Sequence, residues 1–150
     1  QEGLLAAWPN REMRLNVSAD QRILGSAIEL RSAIDNLLVN ALTYSEGPVT
    51  LSWAETVVGP ALAVEDTGPG IESKHIPRLT ERFYRVDKSR SQATGGTGLG
   101  LAIVKHVAVS HEAKLFVDSE LGKGSCFRLV FPNHRVSMPS DGAQAPSMTI

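Results

Sequence analysis

Asp66-Thr67-Gly68-Pro69-Gly70-Ile71, and further along Gly95-Gly96-Thr97-Gly98-Leu99-Gly100-Leu101, frame the part of this sequence whose reading decides the fold. Ahead of the first cluster, Ala61-Leu62-Ala63-Val64 is a continuous apolar run. It predicts a central strand buried on both faces, which delivers Asp66 at its C-terminal end. Behind the second cluster, Leu99, Ala102, Ile103, His106 and Val107 predict the inner face of an amphipathic helix starting at Gly98. A helix start after glycines offers free N–H groups and a positive dipole end to phosphate. A glycine hinge without a ligand is the plainer reading of the same residues. Two further patterns fail: no lysine stands where a Walker loop needs one, and G-x-G-x-x-G after a strand is absent.

Between the clusters, Ile76 to Phe83 predicts a helical turn or two limited by Pro77, and Asp87 to Gly96 is polar without a period. Residues 72–97 are thus expected to form a lid. Arg85, Lys88 and Arg90 lie within it. They read either as solvated loop charge or as cations that close over a γ-phosphate through charge-assisted hydrogen bonds.

Working outward, Ser26 and Glu29 have capping-box spacing, and Leu30, Ile34, Leu37, Leu38 and Ala41 follow with helical period. The helix is predicted to end near Tyr44, before Ser45-Glu46-Gly47-Pro48. Asn36 and Asn40 stand one turn apart on one face, continued by Thr43 and Tyr44. Burying two amides is costly unless they have partners. They are either satisfied or solvent-facing asparagines, or amide oxygens for Mg²⁺, which takes hard oxygen ligands and keeps waters and substrate phosphates. Asp66 could accept a hydrogen bond from an exocyclic amine such as that of adenine, with Ile71 lining the slot, although Asp and Gly also suit a simple β-turn.

Alternating apolar residues predict strands at Met13–Val17, at Val49–Trp53 and at Phe127–Phe131, with Leu115–Val117 a fourth and Ile23-Leu24-Gly25 a short extended piece. Leu4–Trp8 reads as a truncated helix within residues 1–10, and residues 133–150 as a disordered tail rich in Pro, Ser, Gly and Ala. The domain proper is therefore expected at residues 1–132. Together the elements predict an α/β two-layer sandwich, with helices on one face of a mixed, mainly antiparallel sheet.

Composition excludes several classes. The 150 residues suffice for one core, and the net charge of −1 argues against bulk nucleic-acid binding. Cys126 is the only cysteine, so no internal disulfide forms. No apolar run reaches the roughly 18 residues of a membrane span, and no signal-peptide pattern is present. The four histidines show no metal-site spacing. His106 is expected to be structural, and His75, His111 and His134 to lie in loops or the tail.

In order and spacing these motifs resemble the ATP-binding catalytic domain of bacterial sensor histidine kinases, in the Bergerat-fold superfamily shared with DNA gyrase and heat-shock chaperone ATPases. Asn36-Leu37-Leu38-Val39-Asn40-Ala41 resembles the N box, Asp66–Gly70 the G1 box, Arg82-Phe83-Tyr84-Arg85 the F box and Gly96–Leu101 the G2 box. Gly122-Lys123-Gly124-Ser125 is similar to the last glycine motif. The resemblance covers residues 12–132. Leu30–Ile34 and His75–Lys88 resemble the phosphate-regulon, PhoR-type branch of these kinases.

The resemblance implies ATP and Mg²⁺ as cofactors. Asn40 would ligate the metal, Asp66 would read the adenine amine, Tyr44 would pack near the base and Arg85 would reach the γ-phosphate. The implied ATP-binding set is Asn36, Asn40, Tyr44, Asp66, Gly68, Gly70, Ile71, Phe83, Arg85, Lys88, Gly96, Thr97, Gly98, Leu99, Gly100, Leu101 and Ser125. Asn40 and Arg85 would be catalytic. The implied parent is a membrane-anchored homodimer whose kinase half is cytoplasmic, at the inner membrane, while the domain alone is monomeric. Its partners would be its own dimerisation and phosphoacceptor domain, a PhoB-like response regulator and a PhoU-like regulator.

Two departures stand out. Thr43 occupies a position that is lysine in many members, and His111-Glu112-Ala113 replaces a glycine often found after the second helix. One absence is informative. ATP-hydrolysing relatives carry a glutamate base four residues before the metal asparagine, where this chain has Asn36. The expected activity is therefore transfer to a histidine, and that histidine is not in this chain. The competing expectations are a nucleotide-binding regulatory module and a stand-alone ATPase.

Overall fold

The computed structural model describes Trp8, residues 10–84 and residues 99–137. Strands β1 (Met13–Val17), β3 (Val49–Thr56), β4 (Gly59–Asp66), β5 (Lys114–Glu120) and β6 (Gly124–Val130) form a sheet of order β1-β3-β4-β6-β5. Only the β1–β3 pair is parallel. Helices α1 (Ala27–Tyr44) and α2 (Gly100–Ser110) pack on each other and on one sheet face. The expected two-layer sandwich is the fold observed.

The register explains which face is covered. Leu51 pairs with Val64, and Trp53 with Leu62. Val64 and Leu62 in turn face Phe127 and Leu129. All six are buried, and α1 lays Leu30, Ile34, Leu37, Leu38 and Ala41 against them. Each such side chain withdrawn from water contributes about 1.5–3 kcal/mol. Residues of opposite parity, such as Ser52, Glu65 and Arg128, stay half-buried or exposed. The central strand is thus fully covered on one face only, with Ala63 half-buried on the other.

Five expectations are corrected. First, β1 has the predicted alternation but little burial: Leu15 is 73% and Val17 57% exposed. It is an edge strand, and the helices lie over β3, β4 and β5. Second, α2 starts at Gly100, with Leu99 as its N-cap residue. Its buried face is Val104, Val107 and Ala108, while Ile103 and His106 are exposed. Third, the helical turn after the first glycine cluster is a 3₁₀ helix at Ser73–Arg78, earlier than predicted, and Leu79 behind it enters the core.

Fourth, the capping box is half made. Ser26 Oγ accepts from Glu29 N at 3.2 Å, but Ser26 N donates to His111 Nε2 at 3.0 Å, and the Glu29 carboxylate accepts from Ser110 Oγ. His111 lies in the turn after α2, as expected, but it is buried and bonded rather than a free loop side chain. It is 3% exposed, and its Nδ1 lies 2.9 Å from Val107 O. Because Nε2 accepts, the ring proton sits on Nδ1 and donates to that carbonyl. Fifth, the chain does not leave the fold at Asn133. A 3₁₀ turn at Asn133–Arg135 leads into β7 (Val136–Ser137), which pairs antiparallel with β2 (Arg22–Ile23). The expected tail from residue 138 onward, the expected helix at Leu4–Trp8 apart from a half-buried Trp8, and the lid residues 85–98 lie outside the described residues.

Candidate nucleotide site

Helix α1 ends, β4 ends and α2 begins at one edge of the sandwich. Asn36 is half-buried on α1, and its Nδ2 donates to Ser32 O at 2.8 Å. The amide nitrogen is thus spent on its own helix. Its Oδ1 looks toward the start of α2, lying 3.0 Å from where a Cβ on Gly100 would stand. Asn40, one turn on, is half-buried, and its side chain has no hydrogen bond among the described residues. Among the described residues no group of three His, Cys, Asp or Glu could hold a metal. A single amide oxygen suits an ion that takes its remaining ligands from water and phosphate, as Mg²⁺ does.

Asp66 is 7% exposed at the end of β4. Its Oδ1 accepts from Gly68 N at 2.8 Å. Burial raises its pKa above the ordinary value, while the backbone N–H groups of Gly68 and Ser125 oppose the rise; Glu65 adds to it and Arg11 reduces it. The loop after Asp66 is wedged between α1 and the β5–β6 hairpin. A Cβ on Gly68 would lie 2.6 Å from Tyr44 O, so the loop lies against the last turn of α1. Gly70 has φ +79°, and a Cβ there would meet Glu120 O at 2.2 Å. Only glycine fits both requirements.

The sequence reading did not single out Ser119. Its Oγ accepts from Ile71 N at 2.7 Å and donates to Gly124 O at 3.0 Å. With its one proton committed, it also accepts from Ser125 Oγ at 2.8 Å. A second tie, Gly122 N to Pro69 O at 2.8 Å, fixes the same loop. Nothing in a strand pattern marks such a serine, because it occupies an ordinary inward position between Val117 and the turn. An open, acidic cleft of about 360 Å³ lies beside this hairpin, lined by Glu65, Asp66, Asp118, Glu120 and Lys123 among others. It includes neither asparagine.

The structure therefore brings together Asn36 with Gly100, Tyr44 with Gly68, and Asp66 with Gly68 and Ser125. Ile71 and Leu101 pack against the core. Phe83 is 68% exposed with φ 66°. It stands next to Tyr84, whose hydroxyl meets His75 Nδ1 and whose ring lies under Arg78 at 4.5 Å. Arg85, Lys88, Gly96, Thr97 and Gly98 lie outside the described residues.

A buried carboxylate at a strand end, an amide on the facing helix with no side-chain partner among the described residues, and a second helix opening at Gly100 define an ATP-binding module of the Bergerat type. The chain belongs to the family described as histidine kinase-, DNA gyrase B- and HSP90-like ATPase, which matches residues 25–135. Among curated proteins it is 49% identical over 135 residues to the phosphate regulon sensor protein PhoR of Pseudomonas aeruginosa, covering 89% of this chain and 30% of that protein. It is 42% identical to PhoR of Haemophilus influenzae (85% and 30% covered) and 44% to the sensor-like histidine kinase SenX3 of Mycobacterium tuberculosis (81% and 30%). The chain thus spans about a third or less of each of these relatives.

Among solved structures, the mycobacterial sensor histidine kinase MprB superposes with TM-score 0.75 at 29% identity, covering 87% of each chain. Full-length ShkA in complex with AMPPNP superposes with TM-score 0.73 at 29% identity, covering 93% of this chain and 30% of that one. No described helix is long and apolar enough to cross a membrane.

Proposed function

We propose that this chain is the Mg-ATP-binding kinase domain of a two-component sensor kinase, and that it transfers the γ-phosphate to a histidine on a separate dimerisation domain. Asp66 accepts a hydrogen bond from the adenine amine, and Tyr44 borders the base. Asn40 offers its amide oxygen to Mg²⁺, and Arg85 and Lys88 supply cations for the phosphates. The glycines of Gly96-Thr97-Gly98-Leu99-Gly100 let the start of α2 approach the phosphate chain. Bound Mg²⁺ supplies charge neutralisation of the phosphates.

The observation that carries transfer over hydrolysis is Asn36. Its side-chain nitrogen donates to Ser32 O, and an amide oxygen does not take a proton from water at neutral pH. The pocket then holds ATP without the base that hydrolysis needs, until an imidazole from outside the chain attacks. Relatives named as phosphate regulon sensor proteins support the phosphate-regulon type. On that reading the partners are a PhoB-like response regulator and a PhoU-like regulator, and the parent is anchored in the inner membrane with its kinase half in the cytoplasm.

The test combines the chain with the dimerisation domain of its own parent and labelled ATP. Acid-labile, base-stable label on the second component is expected. Tight Mg-ATP binding without transfer would instead support a regulatory nucleotide module, the reading that Thr43 in place of lysine favours.

A further inference from the structure

Arg11 stands just before β1, outside every nucleotide-binding motif, yet its side chain reaches the C-terminal end of α1. Nη1 donates to Leu42 O at 2.7 Å, and Nη2 donates to Gly47 O at 2.9 Å and to Ser45 Oγ at 3.1 Å. The plain role is a cap. Leu42 is among the last residues of α1, whose carbonyls lack helical partners, and Arg11 satisfies one of them. Ser45 is 3% exposed and donates its own hydroxyl to Ala41 O, so the turn is closed from within as well.

The clamped residues carry more than a helix end. Tyr44 lies between the three acceptors. Its carbonyl oxygen stands 2.6 Å from a Cβ position on Gly68, and Thr67 Oγ1 stands 2.3 Å from one on Gly47. Residues 44–47 and 67–68 therefore touch at two points with no room for even a methyl group. Asp66 Oδ1 holds Gly68 N from the other side. A displacement of the α1 terminus is passed directly to the loop that Asp66 anchors. Arg11 is itself fixed, since its N–H donates to Trp8 O at 3.2 Å and Glu12 O accepts from Val49 N at 3.0 Å.

We infer that Arg11 is a positioning residue of the nucleotide site, holding the end of α1 against the Thr67–Gly68 loop so that Tyr44 and Asp66 keep the separation that adenine requires. This rests on the nucleotide reading of the pocket. The guanidinium charge also acts on Asp66, opposing burial and Glu65; Asp118, Glu120 and Lys123 are the other charged groups lining the adjoining cleft.

The test is calorimetric titration of the chain with Mg-ATP across pH, at a temperature where circular dichroism shows each variant folded. Arg11→Gln removes both fork and charge and is expected to weaken binding about tenfold, the scale of loss when a positioned group shifts slightly. The acidic limb of its binding profile should move to higher pH, because Asp66 loses a cation that favours ionisation. Arg11→Lys should return the limb toward wild type while restoring affinity only in part, since an ammonium cannot span three acceptors in a plane. A lower melting temperature with unchanged affinity and unchanged pH profile would reduce Arg11 to a helix cap and overturn the inference. Absence of Mg-ATP binding by the wild-type chain would overturn the nucleotide reading itself, a result distinguishable from failure at Arg11 alone.

Discussion

Asp66 is asked to do two things that conflict. It is buried where a carboxylate is disfavoured, and the proposed adenine contact needs it ionised as an acceptor. Its folded pKa lies above the ordinary 3.8, so the stability it contributes is full below that value and is lost as pH rises through the folded one. Asp66→Asn removes that loss. Relative to wild type, the nucleotide-free variant should therefore gain stability as pH rises from about 4 to 7, measured by denaturant unfolding at several pH values. The same substitution presents a mismatched amide to adenine and should weaken ATP binding by about tenfold or more. A variant that lost stability and kept affinity would invert both assignments. For Asn40→Ala the expected outcome is loss of the Mg²⁺ dependence of nucleotide binding, read by titrating ATP with and without the ion.

The elements show what residue patterns convey. Helix α1 was legible from its period because its whole inner stripe is buried against one continuous sheet face. The β1 alternation was equally clear but said nothing about coverage, which depends on being at the edge. The inner face of α2 was misplaced by about one residue: the buried stripe runs through Val104, Val107 and Ala108 rather than Ile103 and His106, about 100° round the helix.

His111 was invisible for another reason. Its partner, Ser26 N–H, lies 85 positions away, and a buried ring in the turn after a helix has no local signature. His111→Ala leaves that N–H without its acceptor in a buried place, and a buried polar group stripped of its partner costs about 1–3 kcal/mol. Denaturant unfolding should show a loss of that size, and a neutral result would mean water replaces the ring. At Gly70 the constraint is backbone. Gly70→Ala must accommodate φ +79° and a 2.2 Å approach to Glu120 O, so we expect a loss exceeding about 1 kcal/mol together with weakened ATP binding.

At the scale of the molecule, the sandwich is a frame that sets three chain ends around one edge. The N-box, G1 and G2 motifs are far apart in sequence, and their order conveyed the family. Motif residues stood out because their types suit the proposed chemistry: amide oxygen for a hard cation, carboxylate for an amine, glycines for close approach. Supporting residues were not. Ser119, Arg11 and His111 are ordinary residues made important by what the fold sets beside them. The fold does not end where the apolar pattern ends, because Val136–Ser137 returns to pair with Arg22–Ile23 in a separate two-stranded sheet. A two-residue strand has no period to read.

In the proposed function the pocket binds Mg-ATP for transfer to an external histidine, with Asn36 where hydrolysis would need a base. One measurement tests it most directly: labelled ATP incubated with the chain, with and without the dimerisation domain of its parent, following phosphohistidine and free phosphate together. Negligible phosphate release by the chain alone is expected, with histidine labelling only when both components are present. Steady phosphate release by the isolated chain, abolished by Asn36→Ala, would contradict it.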